Sequence, residues 1–365
     1  MEKACMSDAK STGSEPNGKG KNKKDANAFY GMLDTPNIKE VTFGKYTFNT
    51  WYGNAAYFNS QDFNHSALGY EYSNMIAADP TLRRKSRGSI TTNGDESQQD
   101  NFWLDHLFVC EFCFKYTSTY NDFQKHRIGC THNVIKPKVG KLVYRDDVTP
   151  YYIREVKGYM QPLFCQNLCL FGKLFLDDKS VYYNIDHFNF YIIYGYDYSD
   201  IGDEERYCKP MGFFSKERLA YDNDNNLACI CIFPPFQRRH LGSLLIEFSY
   251  ELAKETPGQY YSGPEFPLSP FGKVSYYTYW SRKLVSVIHS HLKDENSTFT
   301  LRDLSQWTRF RKEDILLTLE YMKLLQQDQD GNVTLLLGNL DIFCKEHNID
   351  PLQEKSMIKT DCLLI

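Results

Sequence analysis

A chain of 365 residues, 42% hydrophobic and 24% charged, is long enough for two or three packed units and has the composition of a soluble globular protein. Its net charge of −4 gives no whole-molecule signature of nucleic-acid binding and leaves room only for a local basic face. The polar start MEKACMSDAK does not suit a signal peptide and no apolar run reaches the length of a membrane span, so no membrane partner is expected.

Eleven scattered cysteines, an odd number without secretory context, point to reduced thiols in the cytosol or nucleus, some of them on a metal. Residues 1–28 are low in complexity, with four lysines in NGKGKNKK, and read as a disordered basic tail or as a targeting or nucleic-acid arm. A second unit, 29–160, opens with VTFGKYTFNTWYGNAAYF, aromatic and β-branched as strands are. Residues 59–100 lose periodicity and read as a variable surface insertion, with RRKSR a solvated loop.

Residues 161–290 have an α+β pattern. PLFCQNLCLFGK predicts a short buried helix, LFLDDKSVYYNIDHFNFYIIYGY two long strands, GDEERYCKP an exposed acidic loop, and NNLACICIF another buried strand. A helix is predicted from about Leu241, because Leu244, Leu245, Phe248 and Leu252 share one face. Residues 291–340 predict two helices broken near Thr308–Arg311 and then a β-wing at NVTLLLGN, a winged-helix-like outline. The cations at that break, Arg309, Arg311 and Lys312, fit support of a groove better than DNA reading. The tail 341–365 has no readable pattern.

Cys110, Cys113, His126 and Cys130 form C-x2-C-x12-H-x3-C. Two thiolates on a knuckle, with a His and a Cys one helical turn apart, make a closed tetrahedral set suited to structural zinc. Phe123 and Ile128 are expected to fill the finger's core. Its helix offers only Lys125 and Arg127, which favours bracing the fold or docking a partner, with at most a weak DNA contact.

In CIFPPFQRRHLGSLLIEFSYEL, an apolar strand end runs through a Pro-Pro break into a basic turn and a helix. The first amides of a helix lack internal partners and carry the positive end of its dipole, so Gln237, Arg238, Arg239 and Gly242 suit a pyrophosphate. The spacing is neither a nucleotide P-loop nor a dinucleotide fingerprint, and alone it equally suits an ordinary basic helix cap.

The run NLACICIFPPFQRRHLGSLLIEFSYEL followed by SGPEFPLSPFG resembles the acetyl-CoA core of the MYST family of histone (lysine) acetyltransferases. The resemblance extends from about Phe29 to Leu325, and the short stretch ahead of the finger is most similar to the family's fungal "something about silencing" branch. It implies a GNAT-like core carrying an N-terminal C2HC finger and a C-terminal winged-helix-like segment. By the same resemblance the pantetheine arm lies along Ile230, Cys231 and Ile232. The pyrophosphate lies on Gln237, Arg238, Arg239, His240, Leu241, Gly242 and Ser243, and Ser269 and Thr278 line the cofactor site.

His240 departs from the family pattern by replacing a glycine. It is harmless if its φ is negative; at positive φ it strains the turn, and a protonated imidazole beside a pyrophosphate returns part of that loss. Acetyl-CoA binding is expected to be retained, with some loss.

Acetyl transfer to lysine needs a neutral amine, and lysine's pKa of about 10.4 calls for a general base or a desolvating pocket. Glu265 matches the family's catalytic glutamate. Cys229 matches a cysteine proposed there as an acyl acceptor, although a cysteine on an apolar strand is otherwise packing; direct attack is favoured. Lys179 matches the family's autoacetylated lysine, and read locally it pairs with Asp177 or Asp178. The resemblance also implies a nuclear chromatin enzyme acting on nucleosomal histone H4 at its sixteenth residue, with accessory subunits. Competing readings are a non-catalytic chromatin- or DNA-binding module and a small-molecule acetyltransferase.

Overall fold

The computed structural model describes residues 32–33, 35–59, 62, 67–78, 102–146, 148–176, 184–197, 208–218, 224–292, 299–327, 333–353 and 356–365. The basic tail, RRKSR, Lys179 with its neighbouring acids, and the GDEER stretch lie outside them.

The aromatic N-terminal run forms β1 (Ile38–Phe43) and β2 (Tyr46–Asn49), which join β3 (Leu104–Val109) and β4 (Tyr116–Thr117) in the order β2-β1-β3-β4. The β1–β3 pair is parallel and the other pairs are antiparallel. The region expected to be an aperiodic insertion contains a helix, α1 (Gly69–Ala78). Its apolar residues are too evenly spread to announce a buried face, and Met75 is indeed exposed. The finger helix, α2 (Tyr120–Gly129), buries Phe123 at 1% exposure but leaves Ile128 at 86%. The expected second core residue therefore faces solvent, because the finger helix turns only Phe123 inward, beside Phe112 and Phe114 of the knuckle. The Glu111 carboxylate accepts from the Arg127 guanidinium, so one of the finger's two cations is engaged internally.

The central sheet has five antiparallel strands. Strands β5 (Lys141–Arg145) and β6 (Tyr151–Lys157) precede α3 (Pro162–Lys173), which is buried along most of its length as PLFCQNLCLFGK predicts. Then come β7 (Phe188–Tyr196) and β8 (Cys208–Glu217), the latter taking in the CKP residues expected to be loop. Only the second of the two strands predicted ahead of Tyr196 lies among the described residues; Leu174 and Phe175 turn out of α3, and Ile185–His187 is a 3-10 turn.

NNLACICIF is not one strand but two, β9 (Asn225–Leu227) and β10 (Cys229–Ile232), parted at Ala228. Strand β10 closes the order β10-β8-β7-β6-β5, with Ser215 opposite Cys229 and Gly212 opposite Ile232. Strand β9 diverges and pairs in parallel with β11 (Gly263–Pro264). This divergence opens a cleft along β10, which is the outermost strand of the sheet among the described residues.

Helix α4 (Leu241–Lys254) buries Leu244, Leu245, Phe248 and Leu252 against the sheet, as its periodicity predicts. Helix α5 (Pro270–His291) starts cleanly because Ser269 Oγ accepts from Gly272 N–H at 3.1 Å and Pro270 suits the first turn. Two helices follow, α6 (Leu301–Thr308) with a Thr300–Asp303 capping box and α7 (Lys312–Tyr321), then an antiparallel pair, β12 (Leu325–Gln327) with β13 (Val333–Leu335). They pack around Trp280, Phe310, Ile315 and Leu319 in a core next to that of the sheet.

Helix α8 (Gly338–His347) runs across the boundary placed at 340, and residues 356–365 of the patternless tail pack against α4 and β5. Met357 and Ile358 N–H donate to the Glu247 carboxylate of α4 at 3.1 and 3.2 Å, Lys359 pairs with Asp146, and Leu364 N–H donates to Val143 O. The tail thus straps α4 to the β5 edge.

Candidate active site

Strand β10, the turn before α4, the loop after β11 and the start of α5 enclose a cleft of about 390 Å³. One wall is the outer edge of β10, where Ile230 and Ile232 are half-buried and alternate with buried Cys229 and Cys231. An edge strand offers spare backbone donors and acceptors to an extended ligand arm. Gln237 Nε2 donates to Ile232 O at 2.9 Å and folds the basic turn back against the strand end.

The end of the cleft is the start of α4. The first internal bond of that helix is Leu244 N–H to His240 O at 3.0 Å, so the amides of Leu241, Gly242 and Ser243 precede its ladder. A Cβ added at Gly242 would meet only Ile232 Cγ1, at 3.8 Å, and would project into space the cleft now holds open. These are the features of an anion cradle. His240 has φ 58 and ψ 14, in the left-handed region, and Arg238 has φ 61. Of the two outcomes set out for His240, the structure gives the strained one.

Glu265 lines the cleft, partly buried, and its N–H donates to Leu227 O at 2.8 Å. The divergence of β9 from β10 thereby holds a carboxylate beside the strand edge. Cys229, 4% exposed, lines the same cleft; its N–H donates to Ser215 Oγ at 3.2 Å. On the far side of β10 from Ile230, burial pushes the Cys231 thiol up to about 12 and the Cys169 thiol of α3 also up, each with an added push from Cys229.

Most of the residues singled out from the sequence therefore meet in one cleft: Cys229 through Ile232, Gln237, Arg238, His240 through Ser243, Glu265 and Ser269. Two do not line it. The Arg239 guanidinium lies over the Phe236 ring at 5.5 Å. Thr278 Oγ1 donates to Val274 O, and Thr278 lines a neighbouring cavity that shares only His240 and Ser243 with the cleft. Sequence reasoning missed Trp51, Phe175, Leu268, Phe271 and Tyr276 in the lining. Trp51 reaches across to Phe271 with ring centroids 6.0 Å apart, and TFNTWYG had marked that stretch without giving it a role.

The loop bearing Glu265 is fastened from the C-terminal helices. Arg311 donates to Pro264 O at 2.7 Å, to Asn225 Oδ1 at 3.1 Å and to the Asp314 carboxylate at 2.8 and 3.2 Å. Burial pushes the Asp314 carboxyl up to about 6 against the pull of Arg311. Arg311, one of the three cations read from the sequence as supporting a groove, is thus an internal clamp on this loop.

In the finger, one ligand atom each from Cys110, Cys113, His126 and Cys130 lies within 4.8 Å of all the others. Cys110 Sγ and Cys130 Sγ are 3.8 Å apart, which is about the S···S edge of a tetrahedron built on bonds of about 2.3 Å. Hydrogen bonding with Cys113 and Cys130 pushes the Cys110 thiol up, and hydrogen bonding with Cys110 and Cys113 draws the Cys130 thiol down. The set fits a closed four-ligand metal site.

The MOZ/SAS family model matches residues 137–363. The chain belongs to the MOZ/SAS family. The histone acetyltransferase SAS2 of Saccharomyces cerevisiae is 42% identical over 346 residues, covering 92% of this chain and 90% of that protein. The histone acetyltransferase mst1 of Schizosaccharomyces pombe is 37% identical, and the Tip60 homolog of Caenorhabditis elegans 33%. These matches cover 61% and 71% of this chain but only 44% and 54% of those proteins. The family resemblance drawn from QRRHLG and SGPEFPLS holds over nearly the whole chain.

Proposed function

We infer that this chain is a histone lysine acetyltransferase that moves acetyl from acetyl-CoA to the tail of histone H4, at its sixteenth residue. The observation that carries the reading is the convergence in one cleft of the outermost strand of the central sheet among the described residues, a helix start that suits pyrophosphate, and the Glu265 carboxylate. Extensive likeness to a yeast protein named as a histone acetyltransferase supports it.

In this reading the pantetheine arm lies along β10 and the pyrophosphate on the amides of Leu241 to Ser243. Glu265 removes a proton from the lysine ε-ammonium, whose ordinary pKa is about 10.4. The freed amine attacks the thioester carbonyl carbon and forms the C–N bond. The C–S bond then breaks, the second proton shed by the nitrogen goes to the leaving sulfur, and an acetyl-lysine amide and the free thiol of CoA leave. Cys229, at 4% exposure, suits a wall better than a nucleophile, and in this reading the transfer is direct. Zinc on the finger, when bound, closes a structural crosslink with no open position for chemistry.

The bent strand and flanking helices belong in this account to a GNAT-like core, and α6, α7 and the β12–β13 hairpin to a winged-helix-like support. The protein works in the nucleus on chromatin within a complex of accessory subunits, and Lys179 is its autoacetylation site. Among the described residues no helix is long and apolar enough to cross a membrane.

The test is acetyl transfer from labelled acetyl-CoA to H4-tail peptides and nucleosomes by the chain with its co-purifying subunits. A set of tails with single Lys→Arg changes gives the position. Loss of label only when the sixteenth residue is changed is expected. Absence of both transfer and acetyl-CoA binding would overturn the enzymatic reading, and label lost at another residue would overturn the specificity.

A further inference from the structure

We propose that Arg311 is a positioning residue for the carboxylate of Glu265: its single guanidinium holds the residues on both sides of that glutamate and ties them to two other segments. The inference rests on the reading of Glu265 as the base. Arg311 does not line the cleft, so it acts only through the loop it holds.

The contacts are specific. The guanidinium donates to Pro264 O at 2.7 Å, immediately before Glu265, and lies over the ring of Phe266, immediately after it, at 5.4 Å. It also donates to Asn225 Oδ1 at 3.1 Å, on the strand that pairs with β11. Its position is fixed in turn by the fork-like grip on Asp314, a fully buried carboxylate, while the Arg311 side chain itself is only 16% exposed. A planar fork holds such an arrangement where a point charge does not.

Two further features fit the loop to this clamp. Ser262 N–H donates to Arg309 O at 3.0 Å and Ser262 forms an isolated parallel bridge with Phe310, so loop and helix break run side by side. Gly263 is the second: a Cβ there would collide with the Asp314 carboxylate and the Arg311 guanidinium. The C-terminal helices thereby set where Glu265 stands relative to the β10 edge. General-base transfer is sensitive to such placement, and a shift of about 1 Å can lower a rate about 100-fold.

The experiment compares full-length wild type, Arg311→Met, Arg311→Lys, Glu265→Gln and the double variant Arg311→Met/Glu265→Gln, each with its co-purifying subunits. Arg311→Met is expected to lose kcat by about 100-fold with little change in KM for acetyl-CoA, because the cradle at α4 is untouched. Arg311→Lys is expected to recover part of the loss. In the Glu265→Gln background the Arg311→Met change is expected to lower the residual rate no further, since the residue it acts through is gone. A purely structural role would lower the rate equally in both backgrounds and so refute the inference, as would a folded Arg311→Met with wild-type kcat.

If Arg311→Met does not fold, Arg311→Met/Asp314→Asn removes the orphaned buried charge and carries the same comparison. A fully active Glu265→Gln would instead defeat the reading of the base and, with it, this inference. An inactive Glu265→Gln beside an unaffected Arg311→Met would defeat the positioning inference alone.

Discussion

Replacing His240 by glycine should stabilise the protein. The residue sits at φ 58 and ψ 14 at the entry to α4, with no capping bond from its side chain. A β-carbon in the left-handed region costs about 1–2 kcal/mol. Glycine removes that strain but widens the unfolded ensemble, which returns about 0.4–1 kcal/mol. The net gain is therefore centred on about 0.8 kcal/mol, a rise in melting temperature of about 1 °C for 365 residues at about 2.1 cal/mol/K of unfolding entropy each. His240→Ala is the control, since it removes the imidazole and keeps the strained Cβ. Scanning calorimetry of the three proteins without ligand should rank glycine above wild type, with alanine no higher than wild type. Titration with acetyl-CoA should find the glycine variant binding at least as tightly, because main-chain amides make the cradle. A glycine variant that melts below wild type would refute the strain argument and show that the imidazole makes a contact worth more than the backbone loses.

Three other perturbations probe separate parts of the molecule. Cys229→Ala should keep its transfer rate within about threefold, whereas an acyl-cysteine route would lose it almost entirely; single-turnover kinetics separate the two. The purified chain should contain one zinc, and Cys113→Ser or a strong chelator should abolish hydrogen-exchange protection in α2 and the knuckle before it, because a closed structural site contributes folding energy outright. Retained protection after verified metal loss would contradict that role. Burial draws the Lys216 ammonium down to about 8 despite the opposing pull of Glu155. The neutral lysine is the form the fold favours, so its contribution is complete above the ordinary lysine range and is lost as pH falls through about 8. Lys216→Met should accordingly gain more in urea midpoint over wild type at pH 7 than at pH 10; an equal gain at both would contradict this placement.

Much of the site could be read along the chain because it is local. The four leucine and phenylalanine positions of α4, the turn before it, and the finger's ligand spacing each depend on residues within a few turns of one another. What stayed hidden depends on partners far away. NNLACICIF reads as one apolar strand, and its break at Ala228 follows from two separate pairings, with β8 and with β11. Arg311 reads as one of three cations supporting a groove, but its partner Pro264, 47 positions earlier, is set only by the fold. The sign of φ at His240 is a property of the folded turn that residue type does not set. Ile128 fits the core by helical spacing, but the finger helix turns only Phe123 inward, while Phe112 and Phe114 on the knuckle before it are buried.

The central claim is that Glu265 is the base for acetyl transfer to lysine. Single-turnover transfer from labelled acetyl-CoA to the H4-tail peptide, measured for wild type and Glu265→Gln at saturating cofactor, tests it most directly. The account predicts a fall of about 100-fold or more in the transfer step with acetyl-CoA affinity unchanged. Transfer by Glu265→Gln at the wild-type rate would contradict it.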